Sequence, residues 1–333
     1  MTIHEAKTYG KEHLPDSPTP DLDAEVLLQF VTGMDKTHLL LNRNTELTAE
    51  QEAEFCAALA KRKTGFPIAY ITGAKEFFGY DFYVTPAVLI PKPDTELLVE
   101  QAIAAVREKQ AAHPQQILTV CDMCAGSGCV GLSILRAMAD TALADGGRVP
   151  TGDGLRHAAR DGHTDGQLGN GTARTLPALT LVDISEDALF VAKKNVARLF
   201  SEISAAASKI HFVRSNLFDE VPHTFDVIVT NPPYVPHPQA AALLQDGRSE
   251  PLLALDGDVT ENGDWSGTED GLALIKRLVP QAYEHLAPGG VLLMETGEYN
   301  AEATAELFAR AGLRTVRIER DLSGQLRVVI GRK

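Results

Sequence analysis

The sequence predicts an α/β fold, a mostly parallel sheet with helices on both faces, preceded by a small helical region and a hairpin connector. Three observations predict it. From Asp94 to the carboxyl end, helix-like and strand-like periodicities alternate, the pattern of a wound parallel sheet. The first 64 residues carry helical patterns only. Between the two regions, short β-like runs are punctuated by glycine and proline.

In the helical region, Asp21 to Val31 places Leu22, Val26, Leu27 and Phe30 on one stripe. Thr48-Ala-Glu-Gln51 has the spacing of a capping box and opens a helix through Phe55 and Leu59 to Lys63. Lys61-Arg62-Lys63 suits the end of that helix, where cations meet the negative end of the dipole. Pro67 to Ile90, broken at Gly73 and Gly79, reads as a hairpin or connector. The expected division is therefore 1–64, 65–93 and 94–333.

Within 94–333, helices are expected over Glu96 to Lys109, Gly128 to Ala139, Glu186 to Phe200 and Leu272 to Leu286. Buried strands are expected at Ile117 to Asp122, Ala178 to Asp183, Ile210 to Val213 and Phe225 to Thr230. Pro288-Gly-Gly reads as a turn before a strand from Val291 to Glu295. Leu313 to Ile318 and Leu326 to Ile330 can form an antiparallel pair at one edge. Asp140 to Pro177, rich in glycine and aspartate, reads as a solvated mobile insertion. Asp256 to Glu269 is a shorter acidic insertion with the only tryptophan, Trp265, and is expected to lie outside the chemistry.

Composition narrows the function. The chain has 333 residues, 44% of them apolar, and a formal net charge of −14. Such an acidic chain is repelled by phosphate backbones unless it carries a basic face, and no dense Lys/Arg cluster is present. No stable nucleic-acid binding is expected. No run reaches the roughly 18–20 apolar residues of a membrane span, and Met1 to His13 lacks the apolar stretch of a signal peptide. Four cysteines do not suggest a disulfide scaffold, so a reducing cytoplasm is the expected location.

Cys121-Asp-Met-Cys-Ala-Gly126-Ser-Gly128-Cys-Val-Gly131 follows a strand and opens a helix. Its glycines permit a tight turn close to a ligand, and the helix start offers free N–H groups. The letters match the dinucleotide fingerprint, whose ribose-binding acid lies about 20 residues on. Here the candidate, Asp183, lies beyond the insertion; discounting that insertion, the spacing suits either cofactor. Asp122 favours the cationic amino-acid end of S-adenosylmethionine over a pyrophosphate, which it would repel. Asp183 can accept both ribose hydroxyls. Cys121, Cys124 and Cys129 lack the paired spacing of a zinc site and read as small buried residues, so no metal is expected.

Asn231-Pro232-Pro233-Tyr234 ends a buried strand at the edge where open α/β sheets bind ligands. Two prolines fix the backbone and remove two donors. The Asn231 side-chain oxygen and the Pro232 carbonyl can then accept both N–H groups of a primary amide or exocyclic amine. An amide nitrogen is a poor nucleophile, so aiming its lone pair at a methyl carbon supplies much of the catalysis. Tyr234 can cover the flat face of the amide.

These residues resemble one family over nearly the whole chain, the peptide-chain release factor glutamine methyltransferases of the HemK/PrmC type. Phe66-Pro-Ile-Ala-Tyr-Ile-Thr-Gly-Ala-Lys-Glu-Phe-Phe-Gly79 looks like its connector hairpin, and Leu89-Ile-Pro-Lys-Pro-Asp-Thr-Glu96 like its entrance to the catalytic domain. Val182-Asp183, Ser215-Asn-Leu-Phe218, the tetrapeptide, Glu250-Pro-Leu-Leu-Ala-Leu255 and Asp321-Leu-Ser-Gly-Gln-Leu-Arg-Val-Val-Ile-Gly331 follow in the family's order. The chain departs at Lys92, where the family usually has arginine, and at Leu217, where some members have an aromatic.

The resemblance implies a Rossmann-like seven-stranded methyltransferase sheet with a helical domain that helps grip the substrate. It implies methyl transfer from S-adenosylmethionine to the glutamine of the Gly-Gly-Gln loop in class I release factors. Cys124, Ala125, Gly126, Ser127 and Gly128 would line the methionine part of the cofactor, Asp183 its ribose and Leu217 its adenine, with Asp122 and Asn216 also counted among the cofactor-binding residues. Asn231, at the cofactor's edge, would with Pro232, Pro233 and Tyr234 hold the glutamine amide. The alternatives are a glutamine methyltransferase of a ribosomal protein, an adenine amino-methyltransferase and a non-catalytic adaptor; the intact tetrapeptide speaks against the last.

Overall fold

The computed structural model describes residues 1–144, 176–245, 250–260 and 262–333. The helical region comprises α1 (Ile3–His13), α2 (Pro20–Thr32), α3 (Lys36–Leu41) and α4 (Ala49–Lys63). Both α1 and α4 open on capping boxes, Thr2 with Glu5 and Thr48 with Gln51. Ile3, Leu27, Leu28, Phe55 and Leu59 form the core shared by these helices.

The buried face of α2 is not the predicted stripe. Leu22 and Phe30 are exposed, while Asp23, Ala24, Glu25, Leu27, Leu28 and Val31 are buried. The two acids account for the rotation. Asp23 meets Arg62 at 2.6 Å, and Glu25 meets Lys7 at 2.6 Å and Lys36 at 3.0 Å. Paired carboxylates can be buried where lone ones cannot, and apolar periodicity does not register the pairing. Arg62 thus ties α4 to α2 besides ending its helix.

The connector is half helical. Ile68–Thr72 forms the short α5, ended by Gly73, before the antiparallel hairpin of β1 (Ala74–Phe77) and β2 (Tyr80–Tyr83). One tight turn at Pro93–Thr95 leads into α6 (Glu96–Ala112).

The remaining elements are β3 (Thr119–Met123), α7 (Cys129–Ala144), β4 (Ala178–Asp183), α8 (Glu186–Leu199), α9 (Ser204–Ala207), β5 (Ile210–Arg214) and β6 (Phe225–Thr230). They continue with α10 (His237–Gln245), α11 (Ala273–His285), β7 (Leu286–Glu295), α12 (Ala301–Arg310), β8 (Arg314–Arg320) and β9 (Leu326–Arg332). Seven strands form one sheet in the order β5-β4-β3-β6-β7-β9-β8. The first five pair in parallel and β9 runs antiparallel to both neighbours. The carboxyl-terminal pair takes the predicted edge.

Strand pleating divides the core in two. Val120, Val227, Val229, Val291 and Leu293 pack on one face with Leu98 and Leu132. Cys121, Met123, Ile228, Leu292 and Met294 pack on the other with Ile275, Leu278 and Phe308. This period of two on both faces is what a parallel sheet buried on both sides requires.

Two other expectations change. Pro288-Gly289-Gly290 is not a turn before β7 but an irregularity inside it, since Leu286 already pairs with Phe225 and the register then shifts. Asp140 to Ala144 continue α7, where Asp140 accepts from Tyr80 at 2.8 Å and from Arg136 at 2.9 Å. Residues 145–175 of the predicted insertion lie outside the described residues. Among the described residues, no helix is long and apolar enough to cross a membrane.

The chain winds from β3 toward β5 in one direction and from β6 toward β8 in the other. The reversal falls between β3 and β6, whose carboxyl ends therefore open a crevice.

Candidate active site

The loop from β3 into α7 is built by backbone bonds to two carboxylates. The Gly126 N–H donates to Asp183 Oδ2 at 2.8 Å and the Ser185 N–H to Oδ1 at 2.9 Å. The Gly131 N–H donates to Asp122 Oδ2 at 2.8 Å. A Cβ on Gly131 would lie 3.0 Å from that same oxygen and 2.9 Å from Leu181 Cδ2. Glycine is therefore needed there for the close approach of helix to strand. Burial pushes Asp122 up to about 7, against the pull of the Gly131 N–H. Burial also raises Asp183, opposed by the Ser185 and Gly126 amides.

Cys124 (φ 61°) and Leu217 (φ 52°) hold left-handed backbone conformations, each costing about 1–2 kcal/mol for a residue with a Cβ. Both border the cleft, where such strain commonly marks a working site. The cysteines are only partly as expected. Cys121 is buried, but Cys124 and Cys129 are half-buried and line the cleft. Burial raises both thiols, Cys129 to about 12, so they present neutral sulfur.

At the end of β6, the Asn231 Nδ2 donates to Thr95 Oγ1 at 3.2 Å. With its nitrogen so engaged, the side chain has its Oδ1 as the remaining polar group. Pro232 and Pro233 are buried. Tyr234 corrects the expectation that it covers the amide: its phenol donates to Glu295 Oε1 at 3.0 Å, turned into the sheet. The Tyr234 carbonyl accepts from Asn300 Nδ2 at 3.1 Å and from the Tyr299 hydroxyl at 3.2 Å.

The acidic segment after Leu255 is also part of this site rather than peripheral to it. Asp256 and Asp258 are buried. Asp256 Oδ2 lies 2.5 Å from His237 Nδ1, and Asp258 accepts the N–H groups of His237 and Gly271. The Val235 N–H donates to the Leu255 carbonyl, and the Gly257 N–H to that of Val235. These bonds brace the chain just after the tetrapeptide.

The result is a cleft of about 1220 Å³, counting its open mouth. It is lined by Asp122, the loop from Cys124 to Ser127, Asp183, Asn216, Leu217, Asn231 and Pro233, so most predicted residues converge on it. Gly128, Pro232 and Tyr234 stand outside its lining. Its far wall comes from the entrance segment and Pro251 to Ala254. These are joined where Lys92 Nζ and the Ile90 N–H meet Glu250 Oε1 at 2.7 and 3.2 Å. Lysine in place of arginine thus makes a single-point contact here.

Three residues were not expected. Thr95 lies inside the quoted entrance segment, and Glu295 ends β7 at the ligand-binding edge of the sheet, so both were open to position arguments. Asn195 was not: it sits mid-helix in α8. Its Oδ1 accepts the Tyr83 N–H at 2.6 Å, and its Nδ2 donates to the carbonyls of Tyr83 at 3.0 Å and Ser127 at 2.9 Å. It fastens the hairpin to the glycine loop. Asn195→Ala leaves three backbone groups unpaired, the Ser127 carbonyl buried and the two of Tyr83 partly so, and is expected to cost about 2–3 kcal/mol, read from the urea midpoint; an unchanged midpoint would contradict this role.

Comparison with known proteins adds the following. A family model described as the PrmC N-terminal domain matches residues 5–73, and one described as the methyltransferase small domain matches residues 162–247. The release factor glutamine methyltransferase of Koribacter versatilis is 34% identical over 340 residues, covering 100% of this chain and 99% of its own length. That of Escherichia coli is 32% identical over 320 residues, covering 96% and 94%. A solved structure described as a release factor-specific protein-(glutamine-N5) methyltransferase from Alicyclobacillus acidocaldarius is 24% identical. It covers 76% of this chain and 99% of its own, with a TM-score of 0.36.

Proposed function

Given that the chain belongs to the release factor glutamine methyltransferase family, we propose that it methylates the side-chain amide nitrogen of the glutamine in the Gly-Gly-Gln motif of class I peptide-chain release factors, using S-adenosylmethionine and thereby modulating translation termination. The observation that carries this reading is Asn231, whose nitrogen is held by Thr95 while its oxygen is left as an acceptor beside a cleft of cofactor size. S-adenosylmethionine suits the residues around that cleft. Asp122 answers its ammonium, Asp183 retains acceptor capacity for ribose hydroxyls, and Leu217 with Ala188 offers apolar surface for adenine.

S-adenosylmethionine supplies an electrophilic methyl carbon on a sulfonium. The chain's part is alignment. Asn231 Oδ1 and the Pro232 carbonyl accept the two amide hydrogens and turn the nitrogen lone pair toward that carbon. Held so, the amide nitrogen would take the methyl group that the bound sulfonium would supply and give up one proton to solvent. Tyr234 serves by fixing the loop through both its carbonyl and its phenol. Residues 1–64 grip the release factor, residues 65–93 join them to the catalytic residues 94–333, and the enzyme works in the cytoplasm.

An exocyclic adenine amine would present the same two hydrogens, but flipping a base into the cleft requires phosphate contacts, which a net charge of −14 disfavours. The discriminating experiment supplies methyl-labelled cofactor with a class I release factor, ribosomal proteins and nucleic acid in parallel. Label is expected on the release factor; label on either of the others instead would overturn the assignment.

A further inference from the structure

The polarity of the Asn231 side chain is set by a hydroxyl, and that hydroxyl answers to a buried acid. Thr95 is 1% exposed, and its Oγ1 accepts the Asn231 N–H. Its own proton needs an acceptor. Glu295, likewise 1% exposed, is its neighbour: the Thr95 hydroxyl, the Tyr234 phenol and Arg327 all favour its charged form, against burial. Tyr234 occupies Oε1, and Oε2 is buried with no hydrogen-bond partner of its own.

We propose that Glu295 is the positioning residue of the site: as a carboxylate it accepts a hydrogen bond from the Thr95 hydroxyl, which turns the Thr95 lone pairs to Asn231 and so presents Asn231 Oδ1 to the substrate amide. This rests on the reaction assigned above. A carboxylate accepts from both hydroxyls at once. A protonated Glu295, or a glutamine there, offers a donor to one of them. Thr95 then accepts from position 295 and donates to Asn231, whose amide turns over and meets the substrate N–H groups with its own. Donor would face donor, and the lone pair would lose its aim.

The protonation state is sensitive to its surroundings. Burial pushes Glu295 up to about 7. Arg327 on β9 works to lower it, and Asp94 before α6 to raise it. Cys129 at the start of α7 also feels Glu295 and stays a neutral thiol. Because the raised group must be ionised to act, activity is lost as pH falls through about 7. Asp122, which lines the cleft, is pushed into the same range, so the relevant quantity is kcat at saturating cofactor.

Two measurements on the full chain test the proposal. In the cofactor-free protein labelled with 15N-asparagine, the Asn231 side-chain NH2 signal, assigned by its loss in Asn231→Asp, is expected to shift with a midpoint near 7. That transition is expected to vanish in Glu295→Gln and Thr95→Val. With release factor as substrate, kcat is expected to fall about 10- to 100-fold in both variants. The acid limb should flatten in Glu295→Gln, and Thr95→Ser should restore most of the rate. A wild-type Asn231 signal that does not respond to pH, or a Glu295→Gln variant with the wild-type pH profile, would overturn the proposal. A titrating Asn231 signal with no methyl transfer to the release factor would uphold the orientation and refute the assigned reaction instead.

Discussion

Replacing Asn231 with alanine is expected to lower methyl transfer by at least about 1000-fold while leaving cofactor affinity within about twofold. The asymmetry follows from where the side chain stands. Its nitrogen is spent on Thr95, and in the proposed mechanism its oxygen is one of the two acceptors that convert a delocalised amide into an aimed nucleophile. The proposed cofactor contacts lie chiefly elsewhere, on the loop braced by Asp122 and Asp183. Isothermal titration with S-adenosylmethionine and single-turnover rates on the same preparation separate the two quantities. A variant that retains its rate would remove Asn231 from the mechanism, and one that loses cofactor affinity in proportion would recast it as a cofactor ligand.

Gly271→Ala is expected to be nearly as damaging, although this residue makes no contact with the reacting atoms. Its φ is +69°, and a Cβ there would lie 2.1 Å from the Tyr234 carbonyl oxygen. That oxygen is already held by Asn300 and Tyr299, and the phenol of the same residue by Glu295. Tyr234 cannot yield without dragging the prolines and Asn231 with it. A displacement of about 1 Å at a reacting centre costs on the order of 100-fold. The expected result is therefore a fall in kcat of about that size, with the urea midpoint lowered by the strain and cofactor affinity preserved. A wild-type kcat would show that the brace behind the tetrapeptide is dispensable.

Much of this architecture was legible in the sequence. β4 and β6 begin and end at the predicted residues, since each is a short apolar, β-branched-rich run broken by only one polar residue and ended by Asp183 or Thr230. The glycine loop, Asp183, Leu217 and Asn231 converge on one cleft because each follows a strand of a parallel sheet, and chain order then places them at one edge. What escaped was set by pairing across the chain. The α2 face turned on Asp23 meeting Arg62 and Glu25 meeting Lys7. Tyr234 faces the sheet because Glu295, 61 positions away, accepts its phenol. The segment after Leu255 read as an acidic excursion, yet Asp256 and Asp258 are buried against His237 and Gly271. Such partners leave no periodic trace, and a run of acids reads as solvated until its donors are known.

Tandem mass spectrometry of the release factor after incubation with this enzyme and S-adenosylmethionine tests the central claim most directly. The mass of one methylene is expected on the Gly-Gly-Gln peptide, with fragments placing it on the glutamine side-chain nitrogen, and none is expected when Asn231→Ala replaces the wild-type enzyme. An unmodified glutamine beside a methylated residue elsewhere, or the same modification from the Asn231→Ala enzyme, would contradict it.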